Sequence, residues 1–204
     1  MLIVLAIIGI ITLVVLVSQG SFNRSLTLAN AASDLALALR SAESYGLAAR
    51  VPVSGVTHTG YGLEFATGTH TIFFSDSYPA APSACHPTPP AGASAPDAKW
   101  GDCVYEAGQD SIVTTYALNN GLTVSDVCAY ASGARYCVSA GTLSRLDVTF
   151  VRPDPTPFMA KDGVYNASAP ITSACITLTS PQGGARSIAV ALTGEIDANV
   201  ASCP

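Results

Sequence analysis

The sequence predicts an α+β fold, in which a long N-terminal α-helix packs on an antiparallel β-sheet that disulfides crosslink. Three observations support this prediction. The first seventeen residues, Met1 to Val17, carry no charge, and the residues after them repeat apolar side chains with a helical period. Beyond Pro52 the pattern changes to short β-rich runs separated by turn residues. All six cysteines lie in that later part.

The composition disfavours a nucleic-acid partner. Nine basic residues stand against fourteen acidic ones, which gives a net charge of −5 and leaves no basic surface to neutralise phosphates. Only 11% of the residues are charged, against roughly 25% in ordinary soluble domains. The length of 204 residues suits one modest domain in addition to the N-terminal segment.

We predict that the first segment, residues 1–20, is the transmembrane and assembly half of the helix. A bilayer requires about 20 apolar residues, and the uncharged run extended through Gly20 just meets that length. A cleaved secretory signal is the weaker alternative, because no basic residue precedes the apolar run. The best cleavage candidate, residues 29–31, also lies well beyond that run.

The second segment, residues 21–51, predicts an amphipathic continuation of the same helix. It contains no proline and is rich in alanine and leucine, which favour helices. Apolar residues recur there at steps of three and four, and we expect five of them to pack on the sheet: Leu28, Ala32, Leu35, Leu39 and Ala42. A helix of about 45–50 residues would be roughly 70 Å long. A span followed by a separate short helix is the alternative, because Gly20 weakens a continuous helix.

The third segment, residues 52–204, predicts an extracytoplasmic β domain. The predicted strands are residues 61–66, 70–75, 111–117, 121–130, 136–139, 143–151, 174–179 and 186–192. Within 143–151, the alternation predicts Leu146, Val148 and Phe150 inward, with Asp147 and Thr149 outward. Prolines at 152–157 predict the end of that strand, and the proline-rich segment 77–99 predicts an exposed loop.

The cysteines predict disulfides in an oxidising compartment. They are Cys85, Cys103, Cys128, Cys137, Cys175 and Cys203. No two stand in a C-x-x-C pair, which disfavours a zinc or thioredoxin-type site, and their even number suits disulfides. Sequence allows many pairings; pairing each cysteine with its neighbour gives 85–103, 128–137 and 175–203.

No group of residues predicts catalysis, a metal site or a cofactor. His58, His70 and His86 are scattered without metal-ligand spacing. No phosphate-binding loop, nucleophile elbow or metalloprotease motif occurs in the sequence. Glu64 and Glu195 lie on separate strands, where outward-facing carboxylates are the common case. The sequence therefore predicts a protein that is not an enzyme.

The residues MLIVLAIIGII at Met1–Ile11 resemble the start of type IV pilins and pseudopilins. In that family the mature chain begins Phe-Thr-Leu-x-Glu, and Met1 resembles the residue that follows the glutamate. This motif, its processing site and the methylation target are not in this sequence. Within the family, residues 34–53, 146–155 and 188–196 resemble the minor pseudopilins of the GspH/FimT type.

The resemblance implies a structural subunit of a type IV filament, either a pilus pilin or minor pilin or a type II secretion pseudopilin. The implied assembly face of the helix is Met1, Leu2, Leu5, Ala6, Gly9, Leu13 and Leu16. Implied partners are other pilin-like subunits, the inner-membrane assembly machinery, a prepilin peptidase and, before assembly, the lipid bilayer. The implied location is the cytoplasmic (inner) membrane, then a cell-surface or periplasmic filament. The alternative is a membrane-tethered extracytoplasmic binding domain that does not polymerise.

Overall fold

The computed structural model describes residues 2–48, 60–77, 85, 101–152, 154–200 and 203. In the first helix it describes the side chains at positions 3, 4, 7–12 and from 25 onward. Most of the predicted loop 77–99 lies outside these residues, as do His58, His86 and Pro52. One helix and ten strands occur within them: α1 (Leu2–Leu47), β1 (Gly60–Ala66), β2 (His70–Asp76), β3 (Ser111–Ala117), β4 (Thr123–Ala131), β5 (Ala134–Cys137), β6 (Arg145–Val151), β7 (Asp154–Lys161), β8 (Ile171–Thr179), β9 (Ala185–Ala191) and β10 (Ile196–Val200).

The strands form two antiparallel sheets of five strands each. Sheet A has the order β3-β2-β1-β6-β7, and sheet B has the order β10-β9-β8-β4-β5. Two backbone hydrogen bonds join the sheets: the Gly68 N–H donates to the Val124 carbonyl at 3.0 Å, and the Val124 N–H donates to the Gly68 carbonyl at 2.8 Å. The turn at Asn119–Gly121 carries the chain from β3 in sheet A to β4 in sheet B. Both Asn120 and Gly121 have positive φ there, which suits asparagine and glycine.

The predicted fold class is wrong. It placed a membrane-spanning helix on one sheet, whereas the described residues are mainly antiparallel strand and form two sheets. Within those residues, no helix combines the length and the apolar character that a membrane span requires.

The second part of α1 packs across both sheets. Leu28, Ala32, Leu35, Leu39 and Ala42, which the helical period selected, are all buried. They join a single core with inward side chains of β1 and β6 in sheet A and of β8 and β9 in sheet B. Gly46 lies against the backbone of Phe150, so a β-carbon at this position would clash with the Phe150 carbonyl. The core therefore sits between the helix and the sheets.

One strand was not predicted, and the exposure of two side chains needs correction. Strand β6 ends at Val151, as the prolines at 152–157 predicted, but the chain then forms β7, which begins at Asp154 and pairs with β6. It is an edge strand, where proline is tolerated because the missing N–H need not face a neighbouring strand. Asp147 and Thr149 do point away from the helix, yet both are fully buried rather than exposed. A loop covers that face of sheet A.

Candidate functional site

The N-terminal part of α1 presents an apolar surface that the other described residues leave exposed. We call residues 3–12 the apolar end. Six aliphatic side chains here are between 52% and 76% exposed: Ile3, Val4, Ile7, Ile8, Ile10 and Ile11. They lie on one side of the helix, because their spacing places all six within about 160° of its circumference. Among the described side chains of α1, the first buried one is Leu28, and none of residues 3–12 belongs to the core.

The polar and small residues of the apolar end do not interrupt its apolar character. The Thr12 hydroxyl donates to the Ile8 carbonyl at 2.8 Å, so its polar group is satisfied within the helix. A β-carbon added at Gly9 would have no neighbouring atom within 4 Å, so this glycine leaves space for a close approach by another helix. Gly9 is the residue of the implied assembly face whose surroundings the structure describes. Met1 and five side chains fall outside the described set: Leu2, Leu5, Ala6, Leu13 and Leu16.

A groove runs along the side of α1 further down the helix. It has a volume of about 580 Å³ and lies between residues 27–41 of α1 and residues 116–122, which end β3 and lead into β4. Leu35, Ala38 and Leu122 form apolar lining, and Leu37 lies at the rim with 58% of its surface exposed. Asp34 is the single charged residue among the described residues that line it. We call this the α1–β3 groove.

Disulfides crosslink the β domain, as the cysteine content predicted. The three bonds join Cys85 to Cys103, Cys128 to Cys137 and Cys175 to Cys203, which is the neighbour pairing. Cys128 and Cys137 occupy opposite positions of the β4–β5 ladder. Cys85–Cys103 lies on the face of sheet A that points away from α1, packed with Val151.

Residues 101–110 form the loop that covers this face of sheet A, which we call the loop face. Carboxyl groups hold it there. The N–H groups of Cys103 and Asp102 donate to the two oxygens of Asp76, at 2.7 Å and 3.2 Å. The N–H groups of Ser77 and Glu106 donate to the two oxygens of Asp110, at 2.8 Å and 2.9 Å.

The Thr149 hydroxyl adds a hydrogen bond from β6 to the loop. It donates to the Cys103 carbonyl at 3.2 Å. The Tyr105 ring packs against Phe74 of β2, with ring centroids 5.3 Å apart. Gly101 has a positive φ and lies directly against the Asp76 carboxyl group, so a side chain at position 101 would clash with it. The absence of a side chain at Gly101 therefore leaves the space that the Asp76 carboxyl group occupies.

Asp147 is fully buried under this loop. Its carboxyl group lies beside Arg145, whose Nε is 3.7 Å from Oδ2. Burial raises the pKa of Asp147 well above its ordinary value, and the Arg145 guanidinium opposes that shift. Arg145 also pairs with Glu64 at 3.5 Å. Glu64 therefore faces the loop and not the solvent, whereas Glu195 is exposed beside β10 in the other sheet.

Glu106 has the most clearly displaced pKa of the partly exposed groups. Burial, followed by repulsion from Asp102 and Asp110, raises its pKa from 4.5 to about 8. Burial also raises the pKa of Asp102, and burial together with the Asp110 charge raises that of Asp76 well above its ordinary value. A protonated Glu106 beside two carboxylates is the arrangement that limits their mutual repulsion.

Among the described residues, the two groups of ligand atoms that lie close enough to share a metal ion both include disulfide sulfurs. The two groups of close ligand atoms that occur there are Asp76 with Cys85 and Cys103, and Asp126 with Cys128 and Cys137. The sulfur atoms of both are already joined in disulfides, which removes the thiolates that a metal would need. The carboxyl groups of Asp76, Asp102 and Asp110 instead accept backbone hydrogen bonds. His70, the one histidine described, is exposed at the start of β2.

Sequence reasoning did not anticipate the loop face. Its residues come from β1, β2, β6 and the loop, which are far apart in the chain and carry no motif. Comparison with protein-family models, with curated proteins and with solved structures finds no match. The resemblance to type IV pilins accordingly rests on the residues of the sequence alone.

Proposed function

We propose that the chain is a structural subunit of a type IV filament, a pilin, minor pilin or type II secretion pseudopilin, and that it assembles through the apolar end of α1. The observation that supports this most is the exposure of the apolar end, where six neighbouring aliphatic side chains are at least half exposed. A contiguous exposed apolar surface marks an interaction site, because water contact with it is unfavourable.

The chemistry of the apolar end favours contact with another apolar surface. Its six exposed side chains lie on one side of the helix and carry no charge, so burying that side costs no desolvation of an ionised group. The domain-packing side chains of α1 belong to a different part of the helix, from Leu28 to Ala42. An apolar side of a helix is typical of a surface that packs against another element. No catalytic group is required for such a role.

The proposed location of the β domain is outside the cytoplasm. Three disulfides support this, because disulfides persist in oxidising compartments and are rare where thiols are kept reduced. The proposed partners are other pilin-like subunits together with the assembly machinery that such filaments use.

The test is to produce the chain, extended at its N-terminus by the processing site and the Phe-Thr-Leu-x-Glu motif of that family, in cells that carry a type IV assembly system, and to probe sheared filaments for it. We expect the wild-type chain in the sheared fraction. Ile8→Glu should reduce that fraction by more than about tenfold, because an ionised carboxylate buried among apolar helices costs several kcal/mol and each 1.4 kcal/mol is a factor of ten.

The matched control is Val164→Glu. Val164 is an aliphatic side chain of the β domain, 64% exposed, so the substitution adds the same charge away from the apolar end. This variant should enter filaments like the wild type. A wild-type chain absent from sheared filaments, or an Ile8→Glu chain that enters them unchanged, would count against the proposal.

The second candidate function is a binding domain that does not polymerise. The α1–β3 groove favours it, since its volume lies within the range of about 300–1,000 Å³ that ligand clefts occupy. The same experiment separates the two candidates, because a binding domain would stay out of the sheared fraction whatever its charge at position 8.

A further inference from the structure

Strand β3 is a sheet edge that lacks the features which protect the other edges. The described strands at sheet edges are β3 and β7 in sheet A, and β10 and β5 in sheet B. An edge carries unpaired N–H and C=O groups that can pair with another strand, and proteins protect it with proline, charge, short length or a covering element. Strand β3 has the sequence SIVTTYA, which contains no proline, glycine or charged residue.

Each of the other three edges has one of these protections. Strand β7 contains Pro155 and Pro157. Strand β5 has only four residues and includes Arg135. Helix α1 packs on β10, and the Arg40 guanidinium donates to the Ile196 carbonyl at 3.4 Å. Among the described edges, β3 is therefore the one that stays open to a further strand.

The side chains of β3 suit a strand and lie largely in water. Six of its seven residues are exposed, and β-branched residues occupy the stretch from Ile112 to Thr115, which favours an extended conformation. Tyr116 is half-buried, and its ring stacks on Phe73 with the centroids 6.4 Å apart, so it holds the strand to the sheet. The pairing with β2 skips Val113 and is regular over the last four residues of β3.

The hydrogen bonding of β3 indicates which of its backbone groups face away from β2. The Leu118 N–H, directly after the strand, donates to the Thr69 carbonyl at 2.7 Å. Opposite residues of an antiparallel pair alternate between hydrogen-bonded and non-hydrogen-bonded positions. Tyr116 therefore bonds to β2, whereas Thr115 and Ala117 direct their backbone groups outward. Each of these two residues offers one donor and one acceptor on the open edge.

We infer that β3 of a second copy pairs with this edge in antiparallel orientation, with the two Tyr116 residues opposite each other. In this register, Thr115 of each copy lies opposite Ala117 of the other, as a two-fold axis requires. All the outward groups of both residues then form hydrogen bonds between the copies. A register centred on Thr115 would instead place Ala117 opposite Val113, where the strand is irregular.

The composition of β3 favours a second copy as the occupant of the edge. The strand carries no charge, so pairing it with itself places no like charges opposite each other. The two Tyr116 residues would form a non-hydrogen-bonded pair, in which side chains are closest and aromatic residues stabilise the pairing. This contact is separate from the apolar end, and it does not depend on assembly into filaments.

The test is a crosslink that depends on the register. The full chain is oxidised in a detergent that covers the apolar end. Tyr116→Cys should give a disulfide-linked dimer on a non-reducing denaturing gel, because opposite Cα atoms at a non-hydrogen-bonded position are about 4.5 Å apart. The native cysteines are all in disulfides, which leaves no competing thiol.

The matched control is Thr114→Cys, on the same strand and on the same face of the sheet as Tyr116. In the inferred register the two copies of this position are separated by about 14 Å along the strands, which is too far for a disulfide. This variant should stay monomeric on the gel.

A second pair of variants tests the hydrogen bonds and leaves the half-buried Tyr116 unchanged. Thr115→Pro removes an outward N–H, which does not bond to β2, so the chain should still fold. It deletes half of the hydrogen bonds between the copies, and the dimer dissociation constant from sedimentation should rise at least about tenfold. Thr115→Val keeps the N–H and the β-branched shape and should dimerise like the wild type.

Three outcomes would overturn the inference. Equal crosslinking of Tyr116→Cys and Thr114→Cys would contradict the register. A Thr115→Pro chain that dimerises as strongly as Thr115→Val would show that this edge is not the contact. A wild-type chain that stays monomeric at about 100 μM would exclude a second copy and leave an extended segment of another protein as the occupant.

Discussion

The two faces of sheet A are covered in physically different ways. The face toward α1 is filled by apolar side chains such as Leu63, Val148 and Phe150, all with no exposed surface. The loop face is covered by residues 101–110, which Asp76 and Asp110 hold by hydrogen bonds from backbone N–H groups. One face is stabilised by the area it removes from water, and the other by a small number of directional contacts between charged or polar groups.

Because of this difference, the stability of the two faces should respond to different perturbations. The stabilisation that comes from buried apolar area does not depend on pH, and it decreases with every buried methyl group that is removed. A carboxyl group that accepts buried N–H groups is sensitive to the loss of one oxygen atom and to its own protonation. The predictions below separate the two faces by these responses.

The largest expected effect is on the helix face. Leu39→Ala should lower the free energy of unfolding by about 2–5 kcal/mol, because Leu39 is fully buried and its removal leaves a cavity under α1. Urea denaturation followed by circular dichroism, at a concentration where the chain is monomeric, measures it. Leu37→Ala makes the same chemical change on the exposed side of the helix and should stay within about 0.5 kcal/mol. Equal losses in the two variants would show that α1 is not packed as described.

A smaller effect is expected on the loop face. Asp76→Asn should lower the free energy of unfolding by about 1–3 kcal/mol, since the amide nitrogen cannot accept one of the two buried N–H groups that the carboxyl oxygens now accept. Amide exchange should also speed up at Cys103 more than at Val148. Asp197→Asn, on an exposed position of β10, is the control and should change neither quantity. Unchanged exchange at Cys103 would contradict the role given to Asp76.

The sequence predicts the helix face much better than the loop face, and the reason is local periodicity. The helical spacing from Leu28 to Ala42 and the alternation of Leu146, Val148 and Phe150 each place one side of an element in the core without knowledge of what covers it. The same alternation places Asp147 on the other side, where polarity suggests solvent. Its burial depends on a loop that approaches from another part of the chain, and alternation carries no information on that.

Local sequence patterns also do not predict the pairing of β4 or the presence of β7, for similar reasons. Strand β4 pairs with β8 and β5 rather than with its predecessor β3, and that choice depends on long-range packing. Prolines 155 and 157 predict a break for a central strand, whereas β7 is at the edge of sheet A and tolerates them. A single chain shows the run of each strand but not its neighbours.

The smallest expected effect is a dependence of stability on pH that belongs to the loop face alone. Folding raises the pKa of Glu106 from 4.5 to about 8, so the folded state holds a proton there that the unfolded chain releases earlier. The stabilisation from that proton is complete below pH 4.5 and is lost as the pH rises to about 8. Because Glu106 is partly exposed, water screens this contribution and we expect it to be modest.

Glu106→Gln tests the assignment, because the amide resembles the protonated acid and does not ionise. Urea denaturation of this variant between pH 5 and pH 9 should show a smaller fall in stability than the wild type over the same range, with the difference ending near pH 8. The matched control is Glu195→Gln, which removes an exposed carboxylate outside the loop face. If Glu106→Gln and Glu195→Gln follow the same pH profile, the repulsion among Glu106, Asp102 and Asp110 is not what makes this face sensitive to pH, and the contrast between the two faces of sheet A would then lie in hydrogen bonding alone.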